Sequence, residues 1–240
     1  DLDIGKGKVN GYQYRLLPIF ANLLEADSEM AQYVEGVRAP HLNLLNEGLA
    51  TTDSLLYRRG NFIGSFDQVI CDALRATNDA QIALSPGFRW GTSLLPGDTI
   101  RYENVLDQTC MTYPETYARD MTGEDLKLIL EDVADNLFNP DPYRQQGGDM
   151  VRAGGLRYVL DPNQTIGNRI TDMQLRDGTP IEAGKSYRVA GWATVGAKSP
   201  GPPVWEQVAD YLRSEKEVRI DTLESPVVRN ANGNPGFVAL

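Results

Sequence analysis

Histidine, cysteine and the carboxylates build most metal centres and acid–base sites, so their number and spacing bound the chemistry. The 240-residue chain holds one histidine, His41, and two cysteines, Cys71 and Cys110. A zinc or manganese site draws several His, Cys, Asp or Glu ligands into close spacing. One histidine cannot furnish a His-rich site, and the two cysteines stand far apart. No Asp/Glu cluster has the spacing of a calcium loop, although residue types alone leave an all-carboxylate site open. A Ser/His/Asp triad would need His41 as its base. That residue stands in Arg38-Ala-Pro-His41-Leu, beside a helical run and with no activated-serine motif near it. Neither a His-rich metal centre nor a Ser/His/Asp triad is therefore expected in this chain. Spacing leaves a Cys71–Cys110 disulfide undecided, and buried free thiols are the preferred reading.

Charge and composition narrow the partners. Asp and Glu outnumber Lys and Arg by 33 to 23, giving a formal net charge of −10. Such a field repels phosphate backbones, which argues against nucleic acid as a partner. No stretch approaches the roughly 18 consecutive apolar residues of a membrane span. With 41% apolar residues, the chain can bury a core without disulfides or metals.

The elements that must position any site can be read from periodicity. Asp1 to Val9 reads as strand, Gly-Lys-Gly turn and strand, in the manner of a hairpin that closes a preceding domain. Residues 27–50 read as a connector helix. Asp27 and Ser28 offer N-cap oxygens, Met30, Tyr33, Val34 and Val37 recur at helical spacing, Pro40 kinks the run, and Gly48 suits a C-terminal cap. The compact domain is expected over 51–240. Gly64–Thr77 carries Phe66, Val69, Ile70, Ala73 and Leu74 on one helical face. Thr122-Gly-Glu-Asp125 is a capping-box start for a helix bearing Leu126, Ile129, Leu130, Val133 and Leu137. Strands are expected at 79–84, 110–118, 156–160, 169–175 and 186–192, and a short helix over 204–212 turns Val204, Trp205, Val208 and Leu212 inward. Interleaved helices and strands imply an α/β (α+β) fold with a mixed sheet and flanking helices.

The order of these pieces resembles the C-terminal domain of the 5′-nucleotidase family. The matching motifs are Arg58-Arg59-Gly60-Asn61-Phe62, Cys71-Asp72-Ala73-Leu74-Arg75, Gly87-Phe88-Arg89-Trp90-Gly91 and Met121-Thr122-Gly123-Glu124-Asp125-Leu126. Two departures stand out. Where nucleotidases carry Pro-Phe-Gly-Asn, whose Phe stacks on the base, this chain has Met111-Thr112-Tyr113-Pro114. Where they carry Phe and then Gly-Gly-Asp-Gly-Tyr, it has Gly191-Trp192-Ala193-Thr194-Val195-Gly196. A purine clamp is expected to be dismantled. The variants Ser65-Phe-Asp-Gln-Val-Ile70, Gly87-Phe-Arg-Trp-Gly91 and Gly147-Gly-Asp-Met-Val-Arg152 look like the SoxB thiosulfohydrolases within that family.

That resemblance implies a division of labour. Residues 1–26 would end a missing N-terminal metallophosphoesterase-like domain holding a dinuclear manganese centre, and 51–240 would form the substrate-recognition domain. The implied reaction is hydrolysis of a cysteine S-sulfonate on the arm of the SoxYZ carrier, releasing sulfate in a periplasmic pathway. By itself this chain would be inactive. A sulfonate calls for N–H donors and a planar cation. Arg89, flanked by glycines after a strand end, is the leading candidate; the competing reading is a surface ion pair. Arg59 and Asn61, with Arg58, form a second polar cluster that could instead pin the connector. Gly148 and Asp149 lie in a segment that could present backbone N–H groups or be a surface loop whose Asp149 pairs with Arg152. Trp90, Tyr113 and Trp192 could line a channel for the carrier arm or pack as core and rim. Two other readings stay open: a nucleotidase or related phosphoesterase domain, and a non-catalytic module that binds a carrier protein.

Overall fold

The Gly64–Thr77 periodicity folds as expected. In the computed structural model, which describes residues 1–17, 23–88, 91–109, 113–194 and 199–231, α3 spans Ser65–Thr77 and buries Phe66, Val69, Ile70, Ala73 and Leu74. The chain divides into two compact units, Asp1–Asn43 and Leu44–Leu240.

The first unit opens with an antiparallel hairpin of β1 (Leu2–Gly5) and β2 (Lys8–Tyr12). Lys6 and Gly7 both have positive φ, the two-residue turn whose twist suits a hairpin. In α1 (Ser28–Arg38) the Asp27 side chain accepts from the Met30 amide at 2.9 Å, which makes Asp27 the N-cap. The helix stops ahead of Pro40. One 3₁₀ turn, Ala39–His41, and the short α2 (Leu42–Leu45) follow. Gly48 does not cap this run. It opens β3 (Gly48–Thr52), which carries Leu49 and Ala50 into the core and pairs with β5 (Thr99–Arg101). Sheet pairing and burial of Leu49 overrode the local cap signal.

The second unit is built on a four-stranded sheet in the order β6 (Thr116–Thr122), β10 (Ser186–Trp192), β4 (Ile82–Ser85), β7 (Arg152–Gly154). The period-2 alternation of its central strands separates two cores. Ala83, Ala190 and Trp192 face a core shared with α3, α4 (Tyr102–Thr109) and α6 (Val204–Glu215). Ile82, Leu84, Tyr187 and Val189 face a second core under α5 (Gly123–Phe138), β8 (Leu156–Leu160) and β9 (Ile170–Leu175). Two three-stranded sheets complete the unit: β11 (Glu217–Val218) with β3 and β5, and β12 (Val227–Val228) with β8 and β9. The capping box before α5 is formed: Thr122 Oγ1 accepts from the Asp125 amide, and Asp125 Oδ2 accepts from the Thr122 amide. The mixed α/β architecture matches the sequence reading. Helix α4 was not legible in the sequence, and the strand expected over 110–118 begins at Thr116. Trp205 is partly buried against the first core.

Candidate functional site

Strand direction alone gathers the candidate loops. In the four-stranded sheet β10 runs parallel to β4, while β6 is antiparallel to β10 and β7 antiparallel to β4. The C-terminal ends of β4 and β10 and the N-terminal ends of β6 and β7 therefore share one end of the sheet. The register makes this concrete: Leu84 pairs with Gly191, Ser85 with Arg152, and Thr116 with Trp192. From that end leave the loop after β4, which leads to Arg89 and Trp90, and the loop after β10. Tyr113 arrives there before β6, and Gly148 and Asp149 before β7. An open α/β sheet commonly binds ligands beyond its strand ends.

Arg89, Trp90 and Cys110 lie outside the described residues. Of the other predicted positions, Arg59 is exposed and Asn61 half-buried, and the Asn61 carbonyl accepts from the Met150 amide at 3.0 Å. That bond joins the Arg58–Asn61 segment to the glycine-rich one. Gly148 is exposed, with φ +91° and open space where a Cβ would stand. Tyr113 is 46% exposed and adopts φ +64°. A left-handed tyrosine is uncommon and strained, and such residues concentrate at binding sites. Trp192 is packed inside the first core, and its Nε1 donates to Ser85 Oγ at 2.8 Å. It supports the floor of the sheet end from within. Cys71 is a buried free thiol whose pKa is pushed well up by burial.

Beneath the loops sits a buried ionic network. Arg58 and Asp67 have fully buried side chains, and Arg58 Nε meets Asp67 Oδ1 at 2.6 Å. Asp67 Oδ2 accepts from the Gly64 amide at 2.8 Å and faces Arg152 Nε at 3.3 Å. Arg152 Nη2 reaches Asp149 Oδ2 at 3.0 Å and the Gly60 carbonyl at 2.8 Å. Two guanidiniums thus neutralise two carboxylates with little water access. The remaining Arg58 donors bind the Pro86 and Gln108 carbonyls, each at 2.7 Å, and its guanidinium lies 6.0 Å from the Phe88 ring centre. Arg58 is therefore internal, a strut between loops. Asp149 is likewise ion-paired inside: its pair with Arg152 forms, but buried rather than on a surface loop.

Sequence reasoning missed Asp67, Ser85 and Gln108 as contributors. Asp67 carried a readable signal, an acid in the first turn of a helix opened by glycine. Its second role, between two distant arginines, had none. Among the described residues no group of three or more His, Cys, Asp or Glu side chains could hold a metal ion. The described residues do not fit a dinuclear centre. A cavity of about 410 Å³ lined by Arg119, Asp120, Met121, Asp125, Leu128 and Ile129 opens by the C-terminal end of β6, away from the converging loops. Among the described residues no helix is long and apolar enough to cross a membrane.

Comparison with known proteins fits this architecture. Residues 51–203 match the family model for the 5′-nucleotidase C-terminal domain. The Thermus thermophilus sulfate thiohydrolase SoxB, solved with glycerol, is 35% identical with TM-score 0.86, over 97% of this chain and 44% of that one. A 5′-nucleotidase precursor, also from Thermus thermophilus, is 20% identical with TM-score 0.72, over 94% and 48%. The NAD nucleotidase of Haemophilus influenzae shares the fold at 13% identity and TM-score 0.62, over 84% and 41%. No curated protein sequence matches the chain. The chain spans less than half the length of these solved relatives. The matched residues and the sheet that carries them place this chain in the 5′-nucleotidase C-terminal domain family, a family of hydrolases.

Proposed function

We propose that this chain is the substrate-recognition domain of a thiosulfohydrolase, acting on a cysteine S-sulfonate at the end of a carrier-protein arm. The observation that carries the reading is the likeness to a sulfate thiohydrolase, 35% identical over 97% of the chain, against 20% for the nucleotidase precursor. The altered base-stacking positions support it. Met111-Thr112-Tyr113-Pro114 stands where nucleotidases carry Pro-Phe-Gly-Asn, with Tyr113 exposed on a left-handed backbone, and Trp192 packs in the core.

The reaction is R–S–SO₃⁻ + H₂O → R–SH + SO₄²⁻ + H⁺. Water adds to sulfur, the S–S bond breaks, and the thiolate takes up a proton. On this reading a dinuclear manganese centre, expected outside this chain, would supply the activated water. The present domain supplies orientation and oxyanion binding, with Arg89 as the guanidinium that meets the sulfonate oxygens. Alone, it would be inactive. The carrier would be of the SoxYZ kind and the setting periplasmic.

The test uses the full-length, metal-loaded protein with two substrates, a peptide ending in S-sulfocysteine and AMP. Sulfate release from the peptide that falls on the order of 100-fold in Arg89→Ala supports the reading, since one oxyanion donor is commonly worth that much. Rapid AMP hydrolysis with no sulfate release overturns it in favour of a nucleotidase.

A further inference from the structure

Hydrogen bonds secure the Gly87–Gly91 loop at both ends, and the two ties meet at one residue. On the entry side, Arg58 Nη2 donates to the Pro86 carbonyl at 2.7 Å. On the exit side, Gln108 Nε2 donates to the Thr92 carbonyl at 2.7 Å. The ring closes because Arg58 Nη1 donates to the Gln108 backbone carbonyl, also at 2.7 Å. Asp67 locks the Arg58 fork from behind. Both Arg58 and Gln108 are buried, at 1% and 0% exposure. Contact reinforces the ties: a Cβ on Gly91 would stand 2.5 Å from the Gln108 amide, and one on Gly87 would stand 2.4 Å from the Met150 carbonyl.

The Gln108 side chain is only half used. Its Nε2 holds Thr92, while its Oε1 is buried without a hydrogen-bond partner among the described residues. A buried unsatisfied acceptor works against the fold. A nonpolar residue of the same shape would remove that liability, so stability does not by itself account for an amide here. What the amide adds is a fixed exit for the loop.

We infer that Arg58 and Gln108 are positioning residues for the Gly87–Gly91 loop, fixing Pro86 and Thr92 on either side of the segment whose sequence includes Arg89. The inference rests on the proposed role of Arg89 in meeting an oxyanion. Its chemical logic is preorganisation: a bidentate donor works only if its backbone arrives at a set position, and a shift of about 1 Å can cost on the order of 100-fold in rate.

The experiment compares Gln108→Met, Arg89→Ala and the double variant in the full-length metal-loaded protein, with S-sulfocysteine peptide as the probe. Gln108→Met is expected to unfold at a midpoint close to the parent, since the lost tie is offset by removal of the lone acceptor. Its kcat/KM should fall about 10-fold, and the double variant should be no worse than Arg89→Ala alone, because both act through one group. Parental kinetics in Gln108→Met, or a loss that adds to that of Arg89→Ala, overturns the inference. Hydrogen exchange across 87–92 separates this from failure of the functional reading. Faster exchange in Gln108→Met with Arg89→Ala inert would retain the clamp and reject the role of Arg89; unchanged exchange would reject the clamp. If Gln108→Met does not fold, Arg58→Lys, which keeps a charge beside Asp67 but cannot span both carbonyls, takes the same three readouts.

Discussion

Arg58 Nε and Asp67 Oδ1 meet at 2.6 Å with both side chains shut off from water. Asp67 also faces Arg152, so its loss would leave two guanidiniums buried beside one remaining carboxylate, Asp149. Breaking a buried pair by removing one partner costs about 3–5 kcal/mol, far more than an exposed pair is worth. Asp67→Ala is expected to destabilise this chain by that amount, with Asp67→Asn less severe because it keeps the shape. Urea unfolding with an unchanged m-value measures it. A loss below about 1 kcal/mol would mean that water replaces the carboxylate, contrary to a sealed network.

Trp192 and Ser85 offer a cleaner cycle. Their side chains join β10 to β4 at the site end of the sheet, both nearly fully buried. Ser85→Ala strands the indole N–H, an expected loss of about 1–3 kcal/mol. Trp192→Phe removes that donor. In the double variant the stranded donor is gone, so the two losses should sum to more than the double variant shows. Additive losses would show that the hydrogen bond contributes nothing of its own.

Local patterns were legible and long-range partnerships were not. The stripe Phe66, Val69, Ile70, Ala73 and Leu74 and the Thr122–Asp125 box each write their structure within a few residues, and both formed. Gly48 shows where locality fails: read alone it caps a helix, but pairing with β5 makes it the start of a strand. The site divides in the same way. A pair between Asp149 and Arg152, three residues apart, is a local reading the sequence offers, and it forms. That Arg58 donates to the Gln108 carbonyl, or that Gln108 reaches Thr92, depends on where helix α4 lies, and no periodicity announced that helix. Trp192 is open in the sequence between a channel wall and core packing, because family position suggests the first and residue type the second; the alternation of β10 turns it into the first core.

Gly87 and Gly148 lie on two loops that reach the same end of the sheet, and they should respond differently to a methyl group. A Cβ on Gly87 would meet the Met150 carbonyl at 2.4 Å and the Asp149 carbonyl at 3.0 Å. These are backbone atoms, so the loops must separate. Gly87→Ala is expected to cost about 1–3 kcal/mol through overpacking and to raise KM in the full-length protein. Gly148 has open space around it but φ +91°, so Gly148→Ala should cost about 1 kcal/mol from backbone strain alone. Thermal unfolding of both variants side by side checks the order. Equal losses would show that the two loops have room to part.

Acid should destabilise the fold, and the sign follows from particular carboxylates. Hydrogen bonds from Arg169 and then Asn139 hold Asp135 below the usual carboxylate range. For Glu224 burial pushes upward, but hydrogen bonds from Arg176, the Gly155 amide and Gln68 prevail and the pKa is lowered. Asp125 and Asp161 are lowered as well, by hydrogen bonds led by Thr122 and Gln164 respectively. A depressed folded pKa means the unfolded chain binds more protons, so stability rises with pH through that range. The contribution is complete above the ordinary carboxylate pKa of about 4 and is lost as pH falls through the lowered folded values. Relief of repulsion among the excess acids, net −10 at neutrality, acts in the opposite direction on acidification. Specific hydrogen bonds to charged groups outweigh that diffuse, salt-screened term. The melting temperature is therefore expected to be flat from about pH 8 to 5.5 and to drop below about pH 4.5. Glu224→Gln and Asp135→Asn should each flatten the acid limb. A melting temperature that climbs on acidification would show that surface repulsion wins and that these hydrogen-bonded carboxylates contribute little.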